Sequence, residues 1–597
     1  MKKWKLDRRT FLQASLGVIG AGALTGYAAQ TSTRQPNVVI ILTDDQGWGD
    51  LGFNGNANLA TPNIDRLAER GTVLNYFFVQ PVCAPTRAEL LTGRYYPRTG
   101  VHGVTKRAEY MNLDETTLGD VFKAGGYATG CFGKWHNGSP YPYHPNGRGF
   151  DEFYGFCCGH WGHYFDGTVE HNGDETSFEG YINDAFTEEA MRFIKGHKEQ
   201  PFLCYVAYNT PHSPFQVPDQ WYSKFSDKEL PQRHRDADKE KLDETRCVLA
   251  MCENLDWNVG RLVECVDALD LTRDTIFVHF SDNGPNTWRW NGGMRGKKGF
   301  CDEGGVRSPC ILTWPGVIPA AKRISTIAGA VDLLPTLAGL AGVPLPDTEL
   351  DGLDLQPLLS GEGAHWPERA LFAHAINNRF TSIRTQQYRA GGNAKGLFDM
   401  VADPKQEHDL ATELPGVYKD LQTKIDAWQR EVLPEKPTER VIPVGYRAFP
   451  LTVLNAQDGI ASGKIRWSSI HPNASFFENW GDLNDFVHWE IEVQQDGMYE
   501  VEVRYTCPEK DIGAELQAVF KEEAAAATIN TAFDPPLKNK QDRVARSESY
   551  EKAFMPLSLG EMRLQKGRGD FELRALKKPG ENVCDIRAVR LRLIRTL

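Results

Sequence analysis

Three unbroken apolar runs punctuate the first half of the chain, each followed by polar residues. Asn37-Val38-Val39-Ile40-Ile41-Leu42 leads into Thr43-Asp44-Asp45, Phe202-Leu203-Cys204-Tyr205-Val206-Ala207 into the stretch ending at His212, and Thr275-Ile276-Phe277-Val278-His279-Phe280 into Asp282-Asn283. Continuous rather than alternating apolarity marks strands buried on both faces of a parallel sheet. Helical spacing predicts helices over 61–70, where Pro62 suits a first turn, and over 243–269. Strands alternating with helices predict an open α/β sheet, and such sheets gather ligands at the carboxyl ends of their strands. The polar residues stand at those ends.

From about Ala370 the pattern changes. Short strands are expected over 371–375 and 380–384, a helix over 418–432, and a proline- and charge-bearing linker over 433–441. Beyond it the period is two: Trp489, Ile491 and Val493 alternate with polar residues, as do Tyr499, Val501, Val503 and Tyr505, then Phe571, Leu573 and Ala575, then Val589, Leu591 and Leu593. Half-buried strands separated by Gly, Pro and Asp predict a β-sandwich. The expected division is therefore an α/β domain over 31–368, a small α+β subdomain over 369–435 and an all-β sandwich module over 441–597. In that module Trp467, Phe476, Phe477 and Trp480 are candidate ligand contacts, with core packing the default.

The first 30 residues read differently. Arg8-Arg9-Thr10-Phe11-Leu12 precedes a weakly apolar, glycine-diluted run to Ala29, and this resembles a twin-arginine export signal. The run is too short and weak for a comfortable spanning helix. The expectation is export by the twin-arginine machinery to the periplasm or beyond the cell, with no permanent membrane anchor.

Composition adds mostly exclusions. With 597 residues, 41% hydrophobic and 24% charged, the chain has material for more than one core and is no disordered or fibrous polymer. Its formal net charge of −12 argues against a nucleic-acid partner. No Cys-x-x-Cys pair occurs among its twelve cysteines, which excludes a zinc ribbon or a thioredoxin-like motif.

Chemistry concentrates in a few places. Asp44, Asp45, Asp282 and Asn283 form an oxygen-only set suited to a hard cation, calcium or magnesium, rather than zinc. Cys83-Ala84-Pro85-Thr86-Arg87 is followed by Leu91-Thr92-Gly93-Arg94. On these motifs, over about residues 35–430, the chain resembles the type I sulfatases of the alkaline-phosphatase-like superfamily, whose Cys-x-Pro-x-Arg cysteine is oxidised to formylglycine (3-oxoalanine) by a sulfatase-maturation enzyme. The resemblance implies one Ca2+ held by Asp44, Asp45, Asp282, Asn283 and the group derived from Cys83. Gly133-Lys134-Trp135-His136 matches the family's Gly-Lys-Trp-His, Pro211-His212 its second histidine, and Lys298 its Lys-Gly lysine; Lys297 stands where the family usually has glycine.

By resemblance, the hydrated aldehyde attacks sulfur and Arg87 holds it. Lys134 binds sulfate, His212 and Lys298 protonate the leaving oxygen, and His136 then takes the proton that lets sulfate depart. Trp288, Arg289 and Trp290, with His160 and His163, are candidate substrate contacts, since aromatic planes beside arginine suit sugar rings bearing anions. The expected substrate is a sulfated polysaccharide or a derived oligosaccharide. Two alternatives stay open: a phosphonate monoester hydrolase or phosphodiesterase of the same superfamily, and a glycan-binding relic without catalysis.

Overall fold

A computed structural model describes residues 34–363, 366–376 and 380–597. The expected export signal lies outside these residues. Among them no helix is long and apolar enough to cross a membrane.

The centre is a ten-stranded mixed sheet. Across it run Lys322–Ile324, Thr72–Leu74, Cys310–Thr313, Thr275–Ser281, Asn37–Asp44, Phe202–Pro211, Ala128–Lys134, Glu152–Phe156, Thr168–His171 and Asp174–Ser177. The five strands from Thr275–Ser281 to Glu152–Phe156 are parallel, and antiparallel strands flank them on both sides. The expected buried runs are the heart of this sheet, and the reason is visible in Asn37–Asp44. Val39 and Ile41 pack into one core with the long helix Leu242–Ala268 and the helix Ile182–Gly196. Val38, Ile40 and Leu42 pack into another with the helices Cys83–Thr92, Leu118–Ala124 and Leu333–Ala341. Helices on both faces leave neither face polar.

A four-stranded antiparallel sheet, Leu371–His374, Thr381–Arg384, Tyr388–Gly391 and Gly396–Asp399, follows, with the helix Pro415–Val432 packed on it through Leu421 and Ile425. The last part of the chain forms two further sheets around one shared core. They are antiparallel except where Ile442–Val444 runs parallel to Phe486–Val493. Every apolar residue of the four period-two series is buried there. Phe476, Phe477 and Trp480 are buried too, and Trp467 lies under the Lys106 ammonium at 4.0 Å.

The β module is not held at a distance by its approach segment. Residues 34–597 form one compact unit. Tyr141 stacks on Phe449 with centroids 5.5 Å apart, Arg107 pairs with Glu490 at 2.8 Å, and Arg504 with Glu175 at 3.5 Å. All twelve cysteines are buried and unpaired, Cys507 and Cys584 included.

Candidate active site

The carboxyl ends of four central strands, Asn37–Asp44, Thr275–Ser281, Phe202–Pro211 and Ala128–Lys134, and the start of one helix converge. Asp44 closes its strand, Asp45 follows in a left-handed conformation (φ 68°), and Asp282-Asn283 follow Ser281 on the neighbouring strand. A non-glycine residue at positive φ is costly and persists only where its surroundings dictate it. Here the Asp45 N–H donates to Asp282 Oδ1 at 3.2 Å, and its carbonyl accepts from Arg289 Nη2 at 2.7 Å. Opposite stands the first turn of the buried helix Cys83–Thr92, with Pro85 in the first turn, where its missing N–H costs nothing. Cys83 and Arg87 are four residues apart and so share a face.

The charges are paired; Asp44, Asp45, Asp282, Arg87 and Lys134 are buried, and Lys298 and His212 are partly exposed. Arg87 donates Nε and Nη2 to Asp282 Oδ2 at 3.1 and 2.8 Å and Nη1 to the Lys134 carbonyl at 2.8 Å. Lys134 Nζ meets Asp44 Oδ2 at 2.6 Å, and Lys298 Nζ meets Asp45 Oδ1 at 2.6 Å. His212 Nε2 lies 3.6 Å from Asp45 Oδ2. Lys297 turns away, donating to the Asn286 carbonyl at 2.9 Å. Three carboxylates thus face three fixed cations.

Burial and the neighbouring charges together set the protonation. It pushes Asp282 up to about 6, with Asp44 adding to the rise. For Asp45 burial acts in the same direction, but Lys298 and His212 overcome it and hold the carboxyl well below its usual range. Burial and then Lys298 bring His212 down to about 4, while burial and Lys134 hold His136 well below its usual value. The Cys83 thiol is raised by burial, so as a plain cysteine it would be a poor nucleophile at neutral pH.

Three buried oxygens here accept no hydrogen bond: Asp44 Oδ1, Asp45 Oδ2 and Asn283 Oδ1. Asn283 points this oxygen free because its Nδ2 is tied to Asp45 Oδ1 at 2.7 Å. Unpartnered buried oxygens are costly, and three in one place describe a seat for a cation. The Asp44, Asp282 and Cys83 ligand atoms lie within 4.8 Å of one another, as do those of Asp44, Asp45 and His212. An all-oxygen set fits a hard divalent ion. His136 also keeps a buried Nδ1 without a partner while Nε2 meets the Val104 carbonyl at 2.9 Å.

The expected substrate contacts separate. His160 is buried beside the site, its ring stacked on that of His212 at 6.0 Å, with Nε2 unpartnered. His163 is turned into the wall, its Nδ1 3.2 Å from Gln216 Nε2. Trp290 tilts against Trp48, and Trp288 packs edge-on to His234 and Phe300. Arg289 is a correction: it is buried, and all five of its N–H groups are engaged by Asp50, Asp45, Asn286 and Thr287, leaving none for a substrate. Two residues of the β module contact segments beside the site with no local motif to mark them: Glu548 accepts from Ser213, next to His212, and Asn473 donates to the Val104 carbonyl that His136 also meets.

Comparison with known proteins agrees with this geometry. The family model "Sulfatase" matches residues 36–343, and "N-sulphoglucosamine sulphohydrolase, C-terminal" matches 294–431. The chain is 33% identical to human (Homo sapiens) arylsulfatase A over 422 residues, covering 62% of this chain and 78% of that one. It is 30% identical to N-acetylgalactosamine-6-sulfatase of Mus musculus over 416 residues, covering 63% and 74%. The crystal structure of Ps i-CgsB in complex with k-i-k-neocarrahexaose is similar with a TM-score of 0.62 and 31% identity, over 67% of this chain and 94% of that one. Both family matches end before the β module begins at Ile442.

Proposed function

The chain belongs to the sulfatase family and is a sulfuric ester hydrolase, and from that premise we propose that it removes sulfate from a sulfated polysaccharide or oligosaccharide at a calcium- and formylglycine-dependent centre built on Cys83. The observation that carries this reading is the meeting of three unpartnered buried oxygens with three fixed cations around Cys83. Asp44, Asp45, Asp282 and Asn283 would hold Ca2+, which when bound would draw electron density from sulfate oxygens. Converted to formylglycine, Cys83 would offer a hydrated aldehyde, one hydroxyl to attack sulfur and a second to let sulfate leave.

The remaining steps belong to the chain's own side chains. Arg87, fixed by Asp282, holds positive charge against the nucleophile's oxygen. Lys134 is anchored by Asp44 and directs its remaining donors to the sulfate oxygens. Lys298 or His212 delivers a proton to the departing alcohol oxygen. His136, neutral because burial holds its pKa low, receives a proton at Nδ1, its unpartnered nitrogen. A saccharide substrate is supported by the neighbour crystallised with a neocarrahexaose. Maturation by a sulfatase-maturation enzyme and twin-arginine export are part of the same proposal.

The test is release of inorganic sulfate from a panel of defined sulfated saccharides by protein co-produced with a maturation enzyme, beside matched phosphate esters. Sulfate release from at least one saccharide, exceeding phosphate release, is expected. Preference for the phosphate esters would overturn the reading in favour of a phosphoester or phosphonate hydrolase, and no release from either would favour the relic.

A further inference from the structure

The β module reaches into the catalytic site. Its long connection between the strands Glu523–Thr528 and Met555–Leu564 lies along the segment that follows His212. Ser213, next to His212, donates its hydroxyl to Glu548. Gln216 Nε2 donates to Asp542 Oδ1 at 2.6 Å, and the Arg543 N–H donates to the Phe215 carbonyl at 3.1 Å. Arg546 Nη1 donates to the Gly162 carbonyl at 2.7 Å, tying in the loop that carries His160 and His163.

A second loop of the module closes on the other histidine. Asn473 Nδ2 donates to the Val104 carbonyl at 3.1 Å, the same oxygen that His136 Nε2 meets at 2.9 Å. The approach is close: a Cβ at Gly159 would stand 2.2 Å from Asn473 Nδ2 and 2.7 Å from His136 Nε2, so any larger residue would displace one of these side chains. The two loops are locked together by Ser468 and Ser549 hydroxyls 2.6 Å apart and by Ser469 Oγ donating to the Ser547 carbonyl at 2.8 Å. Between them Ile470 and His471 are exposed at the tip.

This wall has a definite chemistry. Burial would raise the Glu548 carboxyl, but the Ser213 hydroxyl and the nearby His212 and His471 hold it below its usual range, so it is an anion. His471 also acts electrostatically on His160, whose Nε2 is buried and unpartnered. A carboxylate that has accepted one hydroxyl keeps lone pairs for another, whereas a second anion beside it meets repulsion. The exposed side chain of Ile470, next to His471 in the chain, adds an apolar surface. Hydroxyl-bearing, weakly apolar and not itself anionic describes a sugar face next to the ester being cleaved.

We propose that the β module completes the active site, with Glu548 and His471 forming the subsite for the sugar that bears the sulfate and Glu548 discriminating against a second sulfate beside the scissile one. The module is then a specificity element rather than a remote sugar-binding appendage, and the proposal rests on the saccharide reading above. The experiment uses the full, matured chain: wild type, Glu548→Gln, His471→Ala, and Glu522→Gln in a surface turn of the same module as control. Glu548→Gln keeps an acceptor for Ser213, and His471 is exposed, so folding is checked simply by matching unfolding midpoints.

The readouts are kcat/KM for p-nitrophenyl sulfate, for a monosulfated disaccharide and for its vicinally disulfated counterpart. In Glu548→Gln and His471→Ala the saccharide-to-aryl ratio should fall at least tenfold. In Glu548→Gln the preference for mono- over disulfated sugar should also shrink at least tenfold. Glu522→Gln should match wild type. Ratios within twofold of wild type in an enzyme that desulfates saccharides would overturn this proposal alone. A wild-type enzyme that cleaves the aryl ester but no saccharide would overturn the saccharide reading with it.

Discussion

Replacing Arg289 separates a structural role from a binding one. Its guanidinium donates Nε to both oxygens of Asp50 at 2.9 and 3.0 Å and Nη2 to Asp50 Oδ2 at 2.6 Å, and both side chains are 1% exposed. Nη2 also fixes the carbonyl of Asp45, the residue held at φ 68°. Arg289→Met would strand the Asp50 carboxylate in the interior with only the Gly47 N–H at 2.7 Å. Breaking one side of a buried ion pair costs about 3–5 kcal/mol. Loss of a group that orients a metal ligand costs a further 10–100-fold or so in metal affinity. Urea unfolding followed by tryptophan emission reads the first quantity, since Trp48 and Trp290 flank the pair; a calcium titration of the melting temperature reads the second. The double variant Asp50→Asn/Arg289→Met should recover part of the stability, because an amide leaves no charge stranded. A single variant within about 1 kcal/mol of wild type, with only KM raised, would refute this reasoning and restore Arg289 as a substrate contact.

Other expectations follow from the same geometry. Chelation should abolish sulfate release and lower the melting temperature, while Ca2+ at a hundred times its Kd should add about 2.7 kcal/mol of stability; Asp45→Asn should lose both responses. Lys134→Met should lower kcat on the order of 10²–10³-fold, as loss of a preorganised charge does, and Lys134→Arg should not rescue it in stopped sulfate-release assays. At the contact between the catalytic part and the β module, burial, helped by Asp458, raises Glu109 from 4.5 to about 8, and burial raises Asp458 from 3.8 to about 7. Raised carboxyl values mean stability that is full below about pH 4 and is lost as pH rises through 7 to 8, by up to about 1.4 kcal/mol per pH unit for each proton. Urea midpoints should therefore fall across that window, and Glu109→Gln should flatten the fall; an unchanged slope would contradict the assignment.

The sheet was legible because its strands are buried on both faces, so Val38–Leu42 and Phe202–Ala207 carry no polar interruption to obscure them. The β-sandwich was legible for the opposite reason: Tyr499, Val501 and Val503 face a core while their neighbours face out. The candidate cluster was visible in the sequence because Asp44, Lys134 and Cys83 stand at strand ends or a helix start, and Asp282 and His212 just past strand ends, each within a short motif; Lys298, in a loop, was marked only by its motif. Arg289 was misassigned because a sequence does not say whether a polar loop residue's donors are already taken by Asp50. Glu548 and Asn473 escaped notice because their partners, Ser213 and Val104, lie 335 and 369 residues away along the chain. Nothing local distinguishes them from other surface polar residues.

The central claim is that the group at position 83 is the covalent nucleophile of sulfate-ester hydrolysis. Its most direct measurement is mass spectrometry of the residue-83 peptide after turnover, in wild type and in Cys83→Ser. The wild-type peptide should carry an aldehyde in place of the thiol and no retained sulfate. Cys83→Ser, which lacks the second hydroxyl needed to expel the group, should hold one sulfate per chain and stop. An unmodified wild-type thiol in fully active protein, or steady turnover by Cys83→Ser with nothing bound at the peptide, would contradict the account.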